Sequence, residues 1–196
     1  MDKKEALRIF DETGALQNGH FLLTSGLHSP QYFQCALVLQ HHRFLEKFCN
    51  EIKEFYYEEE DINLVISPAI GGIVVGQELA RQFNVRAIFA EREGKKMTLR
   101  RGFRIEPHEK VLIAEDVITT GGSIKEIIEL IEQAKGYPVG IGAIVDRSDG
   151  QTDFGIPLFS PVQVKAVTYK PERCPLCSQN IPLIKPGSRN SEKLIS

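Results

Sequence analysis

The chain has 196 residues, a formal net charge of −2 and 42% hydrophobic residues, which suffice for the core of one large domain. A weakly acidic protein exerts no long-range attraction on polyanions, and no basic face stands out, so we expect no nucleic-acid partner. The charged start MDKKEALRIF lacks the apolar centre of a signal peptide, and no window approaches about 18 apolar residues. We therefore expect a cytoplasmic protein without a membrane partner.

The first sixty residues mix helical and strand-like patterns. Apolar residues at near-helical spacing predict a helix over 2–13. Residues 20–39 are rich in aromatic and strand-favouring residues but are broken by Gly26 and Pro30, which predicts two short strands around a polar loop. Residues 41–60 place apolar side chains three or four positions apart, which predicts a second amphipathic helix.

From residue 62 onward, short apolar runs alternate with helical patterns. The runs are unbroken, which is typical of strands that are covered on both faces in a parallel sheet. The sequence therefore predicts an α/β domain with a doubly wound, mainly parallel sheet and right-handed crossovers. The predicted strands are 63–67, 85–90, 111–117 and 139–146, and the predicted helices are 72–83 and 123–135. We assign a single domain over 1–196, with its core at about 60–150 and a mobile tail at about 186–196.

The four cysteines are too few for the dense disulfide framework of a small secreted scaffold. Cys35 and Cys49 are expected to be reduced and packed. Cys174 and Cys177 have the spacing of half a zinc site, but no second CxxC or histidine pair with ligand spacing follows them. We therefore favour a turn fixed by Pro175 over a structural zinc site.

Two adjacent acids precede a glycine-rich turn in the stretch 111-VLIAEDVITTGGS-123. In open parallel sheets, ligands bind beyond the carboxyl ends of the strands, where Glu115 and Asp116 are predicted to lie. The turn at 119–123 offers backbone N–H groups and the start of a helix, which favour an anion. It is not a Walker A loop, because it contains no lysine.

Two interpretations of this turn are open. Ser123 and Glu126 match a capping box, which any strand-to-helix turn can use for backbone reasons. The capping box does not account for two carboxylates beside an anion site. A phosphorylated ribose accounts for both features, because the turn would hold the phosphate while the carboxylates accept hydrogen bonds from the sugar hydroxyls.

The same stretch resembles the phosphoribosyl diphosphate (PRPP) signature of type I phosphoribosyltransferases. The resemblance implies their fold, with a small hood formed by about residues 15–40 and 155–185. A second segment, 67-SPAIGGIVVGQELAR-81, is similar to the family's diphosphate loop. The implied PRPP-binding residues are Glu115, Asp116, Val117, Ile118, Thr119, Thr120, Gly121, Gly122, Ser123, Ala69, Ile70, Gly71 and Gly72.

Two more segments resemble orotate phosphoribosyltransferases. The stretch 24-TSGLHSPQYF-33 is similar to the one that lines their orotate site, and Arg147 in 144-IVDRSDG-150 matches an arginine that grips orotate. Guanidinium fits a carboxylate bidentately, and orotate has a carboxylate that adenine and hypoxanthine lack. The implied orotate-binding residues are Arg147, Thr119, Tyr32, Phe33 and His28, and many members carry lysine where this chain has His28.

The charged segment 91–101 resembles the mobile catalytic loop of the same family, whereas by itself it reads as a solvated hairpin tip. The implied catalytic residues are Lys95, Arg92, Lys96 and Asp116. The resemblance also implies Mg²⁺ bound through PRPP with help from Asp116, and a homodimer in which this loop reaches the partner's site.

Taken together, the resemblance implies transfer of ribose 5-phosphate from PRPP to N1 of orotate, in pyrimidine biosynthesis. Two alternatives share the PRPP signature. A purine phosphoribosyltransferase should lack Arg147 and the 24–33 stretch. A PRPP-sensing regulator that binds nucleic acid should have lost the loop lysines and gained a basic face.

Overall fold

A computed structural model describes residues 1–23, 25–58, 61–94, 96–148, 150, 152–165 and 167–186. The predicted catalytic residue Lys95 and nearly all of the predicted tail lie outside these ranges. Within them, the helices are too short or too polar to cross a membrane.

An antiparallel hairpin and three helices precede the main sheet. Helix α1 (Lys3–Glu12) leads into the hairpin of strands β1 (Leu16–Leu22) and β2 (His28–Phe33). A short helix α2 (Ala36–Leu39) and the longer helix α3 (His42–Phe55) follow. The two strands around a polar loop that the sequence predicts are thus present.

Among the described residues, the main sheet has seven strands. They are β3 (Leu64–Pro68), β4 (Arg86–Glu93), β5 (Lys96–Leu99), β6 (Lys110–Ile118), β7 (Tyr137–Asp146), β8 (Leu158–Phe159) and β9 (Val162–Gln163). Their order is β5-β4-β3-β6-β7-β8, and β9 also pairs with β7. The pairing of β4 with β5 is antiparallel and the others are parallel. Helix α4 (Gly71–Phe83) follows β3, and helix α5 (Gly122–Gln133) follows β6.

Two hydrophobic cores cover opposite faces of this sheet. In β3, Val65 packs in the core that contains residues of α1, α3 and α4. Its neighbours Leu64 and Ile66 pack in the core that contains residues of α5. All three side chains are completely buried, which explains why the strand reads as an unbroken apolar run. The predicted fold class, an α/β domain with a mainly parallel sheet, is confirmed.

The C-terminal segment returns to the N-terminal hairpin and builds the hood with it. Tyr169 forms a β-bridge with His28, and Ile184 forms one with Phe21. Between these bridges lie a 3-10 turn at Pro171–Arg173 and the four-residue helix α6 (Pro175–Ser178). The hairpin and residues 169–184 therefore pack against each other.

Helix α3 is shorter than the predicted helix over 41–60. It ends at Phe55. The next residue, Tyr56, is buried, and its hydroxyl lies 2.9 Å from the carbonyl oxygens of both Ile141 and Pro157, between which it shares its one proton. This tertiary contact directs the chain towards the sheet.

Candidate active site

The two acids of β6 lie against the turn that follows β3. A Cβ atom on Gly71 would lie 2.2 Å from Asp116 Oδ2, and one on Gly72 would lie 3.0 Å from Glu115 Oε1. The first distance is too short for a side chain unless the carboxylate of Asp116 shifts, so the observed approach of backbone to carboxylate depends on glycine at position 71. The peptide bond between Ala69 and Ile70 in this turn is cis. The two segments predicted to bind PRPP therefore share one site.

The two acids differ in exposure and environment. Glu115 is 8% exposed, and burial together with the charge of Asp116 raises the pKa of Glu115 well above its ordinary value. Glu115 Oε1 accepts the backbone N–H of Asp116 at 3.0 Å, whereas Asp116 Oδ1 accepts that of Val117 at 2.9 Å. The side chain of Asp116 is half-buried. Asp116 is thus the more accessible carboxylate, with Glu115 beneath it.

No salt bridge in the described part of the chain neutralises this acid pair. Among the ion pairs of the described residues, none involves Glu115 or Asp116. Two adjacent carboxylates without a cationic partner repel one another, which contributes to the raised pKa of Glu115. The arrangement favours ligands that donate hydrogen bonds or carry positive charge.

The turn after β6 leaves the start of helix α5 open to a ligand. Thr119, Thr120 and Gly122 are exposed, and Gly121 adopts φ 72° against the ring of Phe154. In the described part of the chain, no side chain caps the first turn of α5. Its free backbone N–H groups and the positive end of the helix dipole favour an anion at this turn.

The capping-box interpretation of Ser123 and Glu126 is wrong. Helix α5 begins at Gly122, so Ser123 lies inside its first turn, and Glu126 is directed to another partner. Arg92 donates to the two carboxylate oxygens of Glu126 at 2.6 and 3.2 Å, and the backbone N–H of Met97 donates to Oε2 at 2.9 Å. These bonds, with Arg92 the largest influence, lower the pKa of Glu126.

The predicted catalytic loop is the hairpin between β4 and β5. It turns at Gly94, and Lys96 is exposed at the start of β5. Arg92 and Glu126 join the hairpin to α5, and Arg101 forms a second pair with Glu91, at 2.7 and 2.9 Å, across the hairpin. The hairpin is thereby held beside the helix that begins at the phosphate turn. Sequence reasoning missed Glu126 as the partner of Arg92, because only the fold brings them together.

Arg147 is buried directly after β7. It is 6% exposed, its guanidinium lies 5.6 Å from the ring centre of Phe33, and one of its terminal nitrogens lies 3.4 Å from the carbonyl oxygen of Gln31. Its Nε has no hydrogen-bond partner in the described structure, and burial lowers the pKa of Arg147. A buried cation in this state favours an anionic ligand.

Other predicted base-binding residues surround this arginine. Burial, and then the negative charge of nearby Asp116, raise the pKa of Tyr32, while Arg147 acts in the opposite sense. The backbone N–H of Arg147 donates to the carbonyl of Ile118 at 2.9 Å, and exposed Thr119 follows that residue. The structure thus places Arg147, Tyr32, Phe33 and Thr119 near one another, beside the acid pair.

His28 is placed elsewhere. It is buried at the start of β2, and its Nδ1 lies 2.9 Å from Nε2 of His20 and 3.3 Å from Sγ of Cys177. Its proposed contact with orotate, like every other proposed ligand contact, stays a prediction. His20 is a further residue that the sequence reasoning missed. The available signal was a histidine pair eight positions apart in a predicted hairpin.

Comparison with known proteins identifies relatives of the whole chain. Residues 36–154 match the model of the phosphoribosyl transferase domain. An orotate phosphoribosyltransferase of Caldanaerobacter subterraneus subsp. tengcongensis is 52% identical over 189 residues, which cover 96% of this chain and 99% of the relative. One of Chlorobium phaeobacteroides is 49% identical over 193 residues, which cover 98% and 100%.

Solved structures show the same fold at low identity. A crystal structure of orotate phosphoribosyltransferase from Aeropyrum pernix matches with a TM-score of 0.67 and 23% identity, covering 80% of this chain and 92% of that one. An adenine phosphoribosyltransferase from Rhodothermus marinus matches with a TM-score of 0.65 and 22% identity, covering 82% and 99%. The fold is therefore common to enzymes that act on different bases, and the near full-length sequence matches decide between them. The chain belongs to the orotate phosphoribosyltransferase family.

Proposed function

We propose that the chain transfers ribose 5-phosphate from PRPP to N1 of orotate and releases pyrophosphate, giving orotidine 5′-monophosphate for pyrimidine biosynthesis. The observation that carries this proposal is the buried guanidinium of Arg147, whose Nε lacks a hydrogen-bond partner in the described structure. The carboxylate of orotate supplies the two acceptors that a guanidinium fork requires. Adenine and hypoxanthine would leave this buried charge unpaired.

The base and the sugar would lie on adjacent strand ends. Arg147 follows β7, and the acids lie near the end of β6, where Ile118 and Asp146 are paired across the two strands. Tyr32 and Phe33 from the hood supply the aromatic surface for a flat pyrimidine. Asp116 lies between them and the turn at 69–72, where it can accept hydrogen bonds from ribose hydroxyls.

The phosphates would occupy the two glycine-containing turns. The turn at 119–123 is proposed for the 5-phosphate, because it ends at the uncapped start of α5. The turn at 69–72 is proposed for the diphosphate, because its backbone comes within contact distance of the acid pair that holds the sugar. A PRPP molecule carries its diphosphate and diol side by side, which matches this placement.

Magnesium fits the same site. Asp116 and Glu115 are oxygen ligands without a cationic partner in the described part of the chain, and Mg²⁺ prefers carboxylates together with phosphate oxygens and water. Asp116 would hold the ion with PRPP, since it is the more accessible acid. Bound Mg²⁺ would neutralise charge on the departing diphosphate.

The protein's own contribution to the chemistry would be placement of charge. Loss of diphosphate leaves positive charge on the ribose, which the carboxylate of Asp116 can stabilise. The cations of the 91–101 hairpin would act on the leaving group. Lys96 is exposed at its edge, and Arg92 is held at α5 by Glu126. Closing this hairpin over the site would also exclude water, which would otherwise hydrolyse the diphosphate.

The proposal includes a cytoplasmic homodimer in which residues 91–101 complete the partner's site. This hairpin forms the edge of the main sheet through β5, so it is available to a second subunit. The test is to mix an Arg92 variant with an Arg147 variant. Shared sites restore activity above that of either variant alone, whereas sites built from one chain do not.

The activity is tested by incubating purified protein with PRPP, Mg²⁺ and orotate and following the ultraviolet absorbance of orotate. We expect consumption of orotate that depends on both PRPP and Mg²⁺, with matched reactions on adenine and hypoxanthine showing none. Turnover of a purine in place of orotate would overturn the assigned base. Binding of PRPP without turnover of any base would favour a sensing role.

A further inference from the structure

Four potential metal ligands from opposite ends of the chain meet in the hood. They are His20 in β1, His28 in β2, Cys174 before α6 and Cys177 within α6. One ligand atom from each residue lies within 4.8 Å of all the others. The ligands are far apart in sequence, since His20 and Cys174 differ by 154 positions.

The four ligand distances recorded within the cluster are close to those of a tetrahedral ligand set. Zinc bonds of about 2.3 Å to sulfur and about 2.0 Å to nitrogen place tetrahedral ligands about 3.5 Å apart for N and S and about 3.3 Å apart for two N atoms. His20 Nε2 lies 3.5 Å from Cys174 Sγ and 3.7 Å from Cys177 Sγ. His28 Nδ1 lies 3.3 Å from Cys177 Sγ and 2.9 Å from His20 Nε2. Shifts of a few tenths of an ångström in these four atoms would bring the distances to those of a tetrahedral zinc site.

The second nitrogen of His20 is already engaged in a way that suits a ligand. Its Nδ1 lies 2.7 Å from the carbonyl oxygen of Ile181. Donation to that carbonyl places the ring proton on Nδ1 and leaves the lone pair of Nε2 directed to the cysteines. Metal-bound histidines make this kind of outer hydrogen bond in most sites, since it fixes the tautomer and the ring orientation.

We propose that His20, His28, Cys174 and Cys177 bind one structural zinc ion. Two thiolates and two imidazoles in tetrahedral positions favour zinc over the hard cations, which prefer oxygen ligands. Four protein ligands complete the coordination, so the ion has no open position for a substrate and its role is structural. Cys174 is buried and Cys177 is exposed, which leaves a path for the metal from solvent.

The proposed ion would fasten the two halves of the hood. His28 begins β2, and the same strand ends at Phe33, so the metal would anchor one end of the segment that carries Tyr32 and Phe33. The described contacts between hairpin and C-terminal segment include two isolated β-bridges. A metal bond between these segments therefore stabilises the aromatic surface proposed for orotate, a consequence that rests on the proposed function.

Metal content tests the site without any assay of activity. Protein purified without chelator and dialysed against metal-free buffer is expected to contain about one zinc per chain by elemental analysis. The double variant Cys174→Ser/Cys177→Ser and the single variant His20→Gln are expected to lose it. Matched controls are Cys49→Ala, which removes a buried thiol elsewhere, and His42→Gln, at an exposed position of α3. Both should keep the metal.

Cobalt provides a second readout on the unmodified chain. Co²⁺ added to protein stripped of metal is expected to give the intense visible bands of tetrahedral cobalt and a sulfur-to-cobalt charge-transfer band, which zinc then displaces. The variant Cys177→Ser, at an exposed position, is expected to weaken that band while the protein remains folded. Absence of zinc together with a failure to bind Co²⁺ tetrahedrally would overturn the proposal, as would a Cys174–Cys177 disulfide in the native protein. These outcomes do not depend on whether orotate is the substrate.

Discussion

Arg92 and Glu126 form a two-pronged ion pair that joins the charged hairpin to helix α5. The contacts are 2.6 and 3.2 Å, and both side chains are 30% exposed. The helix begins four positions before Glu126, at the turn proposed for phosphate. Arg92, which is implied in catalysis, is therefore held by Glu126, the residue that the sequence pattern assigned to helix capping.

Variants of the two partners distinguish a catalytic role of Arg92 from a structural one. Arg92→Ala removes the cation, and we expect kcat to fall by about 10²-fold, as for loss of one group that stabilises transition-state charge. Glu126→Gln removes the ion pair but keeps the cation. Because a partly exposed pair contributes only about 0–1 kcal/mol, we expect a small change in melting temperature and most of the activity to remain.

The measurements are steady-state kinetics and thermal unfolding of both variants. Arg101→Ala is the control, since it breaks the pair with Glu91 elsewhere in the same hairpin. Equal losses of kcat in Arg92→Ala and Glu126→Gln would show that Arg92 acts only by holding the hairpin.

Arg147→Lys tests the orientation of the base. Lysine keeps the positive charge but cannot reproduce the planar fork, so orotate should lose a hydrogen bond to a charged group. Such a bond contributes about 1.5–3 kcal/mol, which corresponds to a roughly 10- to 100-fold rise in KM for orotate. KM for PRPP should change little. Arg104→Lys, at an exposed arginine, is the control, and an equal rise in both KM values would mean that Arg147 supports the fold and does not select the base.

The central strands could be predicted from sequence because burial leaves a local signature. Val65 and its neighbours pack on opposite faces, so the run reads as continuously apolar. Strands β8 and β9 have two residues each, and such short segments carry no periodicity. Both strands form by pairing with the edge of β7, so their position depends on the tertiary fold and has no local sequence pattern.

Among the site residues, those that are contiguous in sequence could be predicted and those brought together by the fold could not. The acids and the glycine turn are contiguous, so one short sequence motif identifies them. Glu126, the partner of Arg92, and Cys177, which lies beside His28, are distant in the chain and are brought there by the tertiary structure. A local motif is misleading in that case. Ser123 and Glu126 have capping-box spacing, but the helix begins at Gly122, two residues before a box capped by Ser123 would start it.

Gly122→Ala tests whether phosphate approaches the start of α5. A Cβ at this position would meet only Thr120 Oγ1, at 3.9 Å, so the free protein has room for it. Alanine also favours helix over glycine by up to about 1 kcal/mol, and we expect the melting temperature to stay equal or rise. A phosphate held by the local N–H groups would clash with the added methyl group, so PRPP affinity should fall by at least about tenfold.

Isothermal titration with PRPP and Mg²⁺ measures this effect. Orotate affinity measured in the same way serves as the internal control, because the base is proposed to lie at the other end of the site. Undiminished PRPP affinity in a stable Gly122→Ala protein would place the phosphate elsewhere.

The variant Glu115→Gln tests how much folding stability the acid pair costs, and how that cost depends on pH. Burial and Asp116 raise the pKa of Glu115 above its ordinary value of 4.5, so the folded state holds this proton more tightly than the unfolded state. The corresponding stability is fully present below pH 4.5 and is lost as pH rises through the raised pKa. Glutamine cannot ionise, so the variant avoids this loss. We expect its gain in melting temperature over the parent to be larger at pH 8 than at pH 5.

Thermal unfolding at the two pH values measures the difference, with Glu132→Gln on the exposed face of α5 as the control. A gain that does not change with pH would mean that the pKa of Glu115 is the same in the folded and unfolded states, as when Glu115 finds a cation in solution. The same variant should bind PRPP less tightly, because an amide is a weaker acceptor for ribose hydroxyls than a carboxylate. A Glu115→Gln protein that is more stable but binds PRPP less tightly would show that the two carboxylates lie side by side because the ligand needs them. The fold alone would be more stable without one of them.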